Sequence, residues 1–232
     1  MQGCPAPSRD TISMLVIPDF LSRDEVVEVN RLMDSAPFDD GRATAAGQAA
    51  RVKDNRQVSR SWPGITALDG VVERAIRRSR PLLESVSPCA HSQPLYVGYE
   101  PGSAYGAHVD AVMSGMPPIR QDVSMTVFLS PPEDYVGGEL LLHESGGERR
   151  AIRHAAGTAF VYPTGIVHEV VPVERGERRA VVLWFQSYYR DPEIREAVAE
   201  LRRCVEAARR SGADPLPLVK VLNTLERRFI ST

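Results

Sequence analysis

The chain has five histidines, His91, His108, His143, His154 and His168, and two of them sit in contexts that suggest metal chemistry. In His108-Val-Asp110 an imidazole and a carboxylate stand at i and i+2, on one face of an extended segment. His168 lies on a separate β-type run sixty residues later and can complete a set of two imidazoles and one carboxylate. Such a set occupies three positions of an octahedral iron(II) and leaves three open, as oxygen activation requires. A closed tetrahedral set would instead hold a structural zinc.

A His-x-Asp pair is common by chance, so its surroundings carry the reading. His108 follows Tyr99-Glu-Pro-Gly-Ser-Ala-Tyr-Gly-Ala, a strand and turn that would present the pair at a strand end. His168 follows the turn Pro163-Thr-Gly165, and Arg178 comes ten residues after His168, where a final strand begins. A guanidinium is a planar fork that matches a carboxylate with two hydrogen bonds, which suits the far end of a diacid such as 2-oxoglutarate. Arg175 and Arg179 are nearby competitors. Arg178, Ala180, Val182 and Trp184 share one strand face, and parity alone does not say which face looks inward. His143, beside Glu144, is the best rival ligand but reads better as satisfied or exposed. His91 and His154 read as solvated, and Trp62 and Trp184 as core or pocket walls.

The elements that must position these residues follow from turn signals and periodicity. Met14 to Pro18 reads as a short strand, and Ser22-Arg-Asp-Glu25 as a capping box opening a helix with Val26, Val29, Leu32 and Met33 on its buried stripe. Residues 40–56 read as an ordered polar loop, and a second helix covers Leu68 to about Ser79, where Pro81 ends or bends it. From Leu95 the chain changes to short β runs: 95–100, 106–109, 123–129, 139–143, 149–153, 158–162, 167–173 and 180–188. Turn residues such as Pro101-Gly102, Gly137-Gly138 and Gly146-Gly147 separate them, with no room for crossover helices. These features predict an α+β chain that is mainly β, an antiparallel jelly roll (double-stranded β-helix) flanked by N-terminal and C-terminal helices. Asp191-Pro192 opens a helix that Gly212 stops, and another follows over 214–229. The expected organisation is a loose extension over 1–13, a helical support region over 14–90, the catalytic jelly roll over 91–189 and C-terminal helices over 190–232.

Composition narrows the class. A chain of 232 residues with 43% hydrophobic and 6% aromatic residues can bury a core made mainly of aliphatic side chains. The net charge of −2 argues against a nucleic-acid binder, and no apolar run is long enough for a membrane span. Three scattered cysteines, Cys4, Cys89 and Cys204, with no signal-peptide pattern, point to a reducing interior and a cytoplasmic location. The apolar stripe of the C-terminal helices would serve a homodimer as readily as a core.

Several segments in order resemble the PKHD-type hydroxylases, iron(II) and 2-oxoglutarate dioxygenases similar to prolyl 4-hydroxylases. They are Asp40-Gly-Arg-Ala-Thr-Ala-Ala-Gly-Gln48 with Val52-Lys-Asp-Asn-Arg-Gln57, Phe128-Leu-Ser with Asp134-Tyr-Val-Gly-Gly-Glu-Leu140, Tyr162-Pro-Thr-Gly-Ile-Val-His168, and Arg175-Gly-Glu-Arg178. The resemblance implies iron(II) at His108, Asp110 and His168, the far carboxylate of 2-oxoglutarate at Arg178, and Tyr99 assisting co-substrate binding. It also implies oxygen as co-substrate and ascorbate as reductant. The chain departs from the family pattern at Ala111-Val112, where Asn-Ala is usual, and at Glu169, where Arg is usual. These departures flank the metal and bear on the substrate pocket.

The expected reaction is hydroxylation of an unactivated C–H bond in an amino-acid-like, peptide or other small substrate, with 2-oxoglutarate decarboxylated to succinate. Desaturation, cyclisation or epimerisation at the same iron is the enzymatic alternative. A non-catalytic cupin-like module holding metal or a small acid is the alternative from another class.

Overall fold

A computed structural model describes residues 14–115 and 117–231 of the chain. The extension expected over 1–13 lies outside them. Two antiparallel sheets face each other. The larger has the strand order Leu15–Ile17, Ala159–Pro163, Val123–Phe128, Arg178–Ser187, Leu95–Tyr99, Arg56–Val58, Phe38–Asp40, with Pro88–His91 also pairing against Arg178–Ser187. The smaller has the order Arg149–Ile152, Leu140–His143, His168–Val170, Ala104–His108, Lys53–Asp54.

Strand parity sorts the side chains into two cores. On the central strands Met125, Val127, Val161, Val181, Leu183 and Phe185 point away from the smaller sheet. They pack on Val29 and Met33 of helix Arg23–Asp34, on Leu68, Val71 and Val72 of helix Ile65–Arg78, and on Leu82 of helix Arg80–Val86. The alternate residues Phe128, Phe160, Tyr162 and Ala180 meet Leu140, Leu142 and Ile152 between the sheets. The larger sheet is thus buried on both faces, which explains why its strands read as nearly continuous apolar runs.

The caps act where the sequence places them. Ser22 Oγ accepts from the Glu25 N–H while the Glu25 carboxylate accepts from the Ser22 N–H, closing the capping box on helix Arg23–Asp34. Asp191 caps helix Pro192–Ser211, and Gly212 ends it at φ 76°, a left-handed conformation that costs glycine nothing. Pro81 falls in the first turn of a separate helix, where its missing N–H is harmless, so the chain breaks at Ser79 instead of bending through Pro81.

Segment 40–56, expected as a loop, carries short strands. Lys53–Asp54 pairs with Ala104–His108, and Arg56–Val58 pairs with Leu95–Tyr99, so residues 53–58 bridge from the smaller sheet to the larger. The region 14–90 therefore contributes strands as well as support helices. No helix of the described residues is long and apolar enough to cross a membrane.

Candidate metal centre and co-substrate pocket

His108 ends one strand of the smaller sheet and His168 begins its neighbour, and the two are directly opposed across the pair. Asp110 lies just beyond the end of the first strand. Its Oδ1 is 3.8 Å from His108 Nε2 and 3.7 Å from His168 Nε2. All three donor atoms lie within 4.8 Å of one another, and this is the one such cluster found among the described residues. Each imidazole is fixed from behind by a backbone carbonyl two residues earlier, Gly106 O at 2.8 Å for His108 Nδ1 and Ile166 O at 2.9 Å for His168 Nδ1. Those carbonyls need an N–H at Nδ1, which leaves the Nε2 lone pairs aimed at the common point. Burial, then the neighbouring His168, holds the His108 imidazolium well down, to about 4. At neutral pH His108 is therefore the neutral ring that a metal requires.

Asp110 is oriented in the same way. Its Oδ2 accepts from Trp184 Nε1 at 2.8 Å and from Ser124 Oγ at 2.9 Å, so Oδ1 is left to face the imidazoles. The Tyr105 ring stacks on His108 with centroids 3.6 Å apart and an interplanar angle of 13°. Lys53 Nζ lies over the Tyr105 ring, 5.1 Å from its centroid. Burial lowers the Lys53 ammonium to about 8, against the opposing pull of Asp110 and Asp40.

The cluster opens into a cavity of about 1010 Å³ between the sheets. Arg178 reaches it from the first position of strand Arg178–Ser187, paired with Tyr99, and its guanidinium sits 5.1 Å from the Tyr99 ring centroid. This resolves the parity question left by the sequence. Arg178, Val182 and Trp184 line the cavity, whereas Val181 and Leu183 enter the helix-side core and Arg179 pairs with Asp34 and Glu177. Gly138 makes room for the guanidinium stem. A Cβ there would come within 3.1 Å of Arg178 Cδ, and its φ of 68° disfavours any side chain.

Arg178 is only 2% exposed, and its Nε has no hydrogen-bond partner. Asn55, also on the cavity wall, has neither amide atom satisfied. Buried polar atoms are rarely left unpaired, so a cavity with an unpaired cation and amide in its wall fits a polar, anionic occupant. A diacid co-substrate that chelates iron at one end and reaches Arg178 with the other has the required chemistry.

The tyrosines near Arg178 and the metal donors take different places. Tyr99 lines the cavity beside Arg178, whereas Tyr96 turns to the other core and donates to Asp69 Oδ1. Tyr105 and Tyr162 also line the cavity, Tyr162 edge-on to His168. His143 lies outside it, paired with Glu169 at 3.0 Å. His91 and His154 are not solvated as expected. Half-buried His91 reaches Glu73 and Ser92, and His154 packs edge-on against Phe128. Sequence reasoning missed Lys53, Asn55, Gln57, Ser124 and Tyr162 as cavity or orienting residues, and it left Trp184 as a wall.

Comparison with known proteins decides the family. A profile of the 2OG-Fe(II) oxygenase superfamily matches residues 94–186. A PKHD-type hydroxylase of Paracoccus denitrificans is 39% identical over 89% of this chain and 92% of its own length. A second, from Alteromonas mediterranea, is 35% identical over 84% and 87%. The chain belongs to the PKHD-type hydroxylase family. A prolyl hydroxylase from Trichoplax adhaerens, solved with a hypoxia-inducible-factor peptide fragment, shares the fold at a TM-score of 0.55 and 21% identity, over 81% of this chain and 87% of that one. As a PKHD-type hydroxylase the protein is a 2-oxoglutarate-dependent dioxygenase that uses iron(II), 2-oxoglutarate and oxygen. The expected mainly-β jelly roll with flanking helices is the observed fold.

Proposed function

We propose that His108, Asp110 and His168 hold the iron(II), that Arg178 takes the far carboxylate of 2-oxoglutarate, and that the enzyme hydroxylates an unactivated C–H bond of an amino-acid-like or other small substrate. The observation that carries the reading is the convergence of three metal donors and one unsatisfied, buried guanidinium on a single cavity. When bound, iron(II) and 2-oxoglutarate supply oxygen activation, with the co-substrate converted to succinate and carbon dioxide.

The chain's own contribution is position, dryness and charge. Two backbone carbonyls fix the imidazole tautomers, and Trp184 and Ser124 hold Asp110 with one oxygen free. Tyr99, with the Arg178 guanidinium over its ring, lines the part of the cavity that Arg178 serves. The apolar walls Leu140, Val170 and Val182 exclude water from around the donor set. As a ligand, Asp110 would also take the place that a halide would need, which favours oxygen transfer over halogenation.

Asp110→Ala should abolish oxygen-dependent succinate formation from 2-oxoglutarate while leaving the protein folded by circular dichroism. Succinate at more than about a tenth of the wild-type rate would sink the ligand assignment, because removal of an essential catalytic group costs far more than tenfold.

A further inference from the structure

Resting on the reading above, we propose that Lys53, with Gln57 beside it, receives the carboxylate of the substrate, so that the enzyme acts on a small molecule bearing a free carboxylate of its own.

Lys53, Asn55 and Gln57 alternate with the outward residues Asp54 and Arg56, so one extended segment presents an ammonium and two amides to the cavity. All three are buried, with exposures of 6%, 6% and 4%. Lysine is almost never buried without an anionic partner. Among the described residues, Lys53 Nζ makes no ion pair and one hydrogen bond, to Thr44 Oγ1 at 2.9 Å. Thr44 Oγ1 is in turn 2.9 Å from Gln57 Oε1, which turns the Gln57 amide so that its Nε2 is a second buried donor with no partner. An ammonium with no ionic partner and a buried amide N–H with no partner therefore lie together in the cavity wall. That is the donor set a carboxylate takes.

The co-substrate does not account for it. Lys53 and Arg178 are the two lysine or arginine side chains lining the cavity among the described residues. 2-Oxoglutarate offers one carboxylate beyond the one that chelates iron, and Arg178 accounts for that one. Arg178 enters from the larger sheet beside Tyr99, whereas Lys53 enters from the smaller sheet opposite Tyr105, over whose ring its Nζ lies. The two cations thus belong to different walls. The segment that carries Thr44 also lines the cavity with Ala43, Ala45, Ala46 and Ala49, whose small side chains take up little of its space. At about 1010 Å³ the cavity sits at the top of the range for small-molecule sites, more than a single small diacid fills.

The test uses the full chain loaded anaerobically with iron(II) and 2-oxoglutarate. L-Proline, L-lysine, L-glutamate and L-phenylalanine are titrated against their methyl esters, and the visible band of the chelate is followed. Binding of a carboxylate form, with its ester at least about tenfold weaker, is expected for wild-type protein. Lys53→Met should weaken that carboxylate roughly 10- to 100-fold, the range for losing a charged hydrogen bond, while the 2-oxoglutarate titration stays within about twofold. Lys53→Arg should restore part of the discrimination, which a purely structural role would not produce. Equal binding of acids and esters, no response to any of the acids, or an unchanged carboxylate affinity in Lys53→Met overturns the proposal. A Lys53→Met protein that loses 2-oxoglutarate instead reassigns the lysine to the co-substrate and also overturns it. If the wild-type chelate band never forms, the iron reading itself fails and this inference falls with it.

Discussion

Removing the indole donor behind Asp110 should loosen iron without unfolding the protein. Trp184 Nε1 and Ser124 Oγ both bond Asp110 Oδ2, at 2.8 and 2.9 Å. A hydrogen bond to a charged acceptor contributes about 1.5–3 kcal/mol, or roughly 10- to 100-fold in an equilibrium constant. That figure is a ceiling on the effect of Trp184→Phe, because the bond exists before metal arrives. What the variant loses is orientation: the carboxylate becomes free to rotate about χ2 and must be ordered again on binding. Ser124 still holds it, so about tenfold weaker binding is expected for Trp184→Phe and closer to 100-fold for the double variant with Ser124→Ala, within the range for outer-shell partners of metal ligands. The assay is anaerobic competition for iron(II) against a chromophoric chelator, with the melting temperature as the control for folding. Wild-type iron affinity in the folded double variant would refute the reasoning.

Two further outcomes follow from the same structure. Lys53 titrates at about 8 against its ordinary 10.5, so between those values the unfolded chain binds a proton that the folded chain does not, and stability should rise with pH through that window. The difference amounts to roughly 3 kcal/mol, so the stability of Lys53→Met relative to wild type should fall by about that much between pH 7 and 10.5, measured by urea unfolding of metal-free protein. Parallel curves for the two proteins would remove the buried-charge cost. Leu183, fully buried on the central strand against the helices, should cost about 2–5 kcal/mol when changed to Ala, read as a lower urea midpoint. A change under about 1 kcal/mol would mean that this core is not close-packed.

The parts that could be read from sequence have local physical signatures. Ser22 and Glu25 stand three apart, as a capping box requires, and their reciprocal bonds form. The strands from Leu95 onward are delimited by Pro and Gly, and each expected run coincides with an observed strand to within a few residues, except that 167–173 is split into His168–Val170 and Val173–Arg175. His108 and Asp110 share a face because the period of an extended chain is two. Segment 53–58 was unreadable for a related reason. It alternates too, but its inward residues Lys53, Asn55 and Gln57 are polar and line the cavity instead of a core, so both of its faces are hydrophilic and no hydrophobic period appears. The inward face of strand Arg178–Ser187 was ambiguous for the opposite reason, since a strand buried on both sides is apolar on both. The bond from Trp184 to Asp110 joins residues 74 apart and leaves no local trace.

The most direct test of the centre is to add iron(II) and 2-oxoglutarate to metal-free protein under anaerobic conditions and record the visible spectrum. The arrangement of His108, Asp110, His168 and Arg178 predicts the metal-to-ligand charge-transfer band of an iron-chelated keto acid, weakened or lost in Arg178→Ala at the same co-substrate concentration. A well-folded protein that binds iron(II) yet develops no such band, or an Arg178→Ala variant that titrates like wild type, would contradict it.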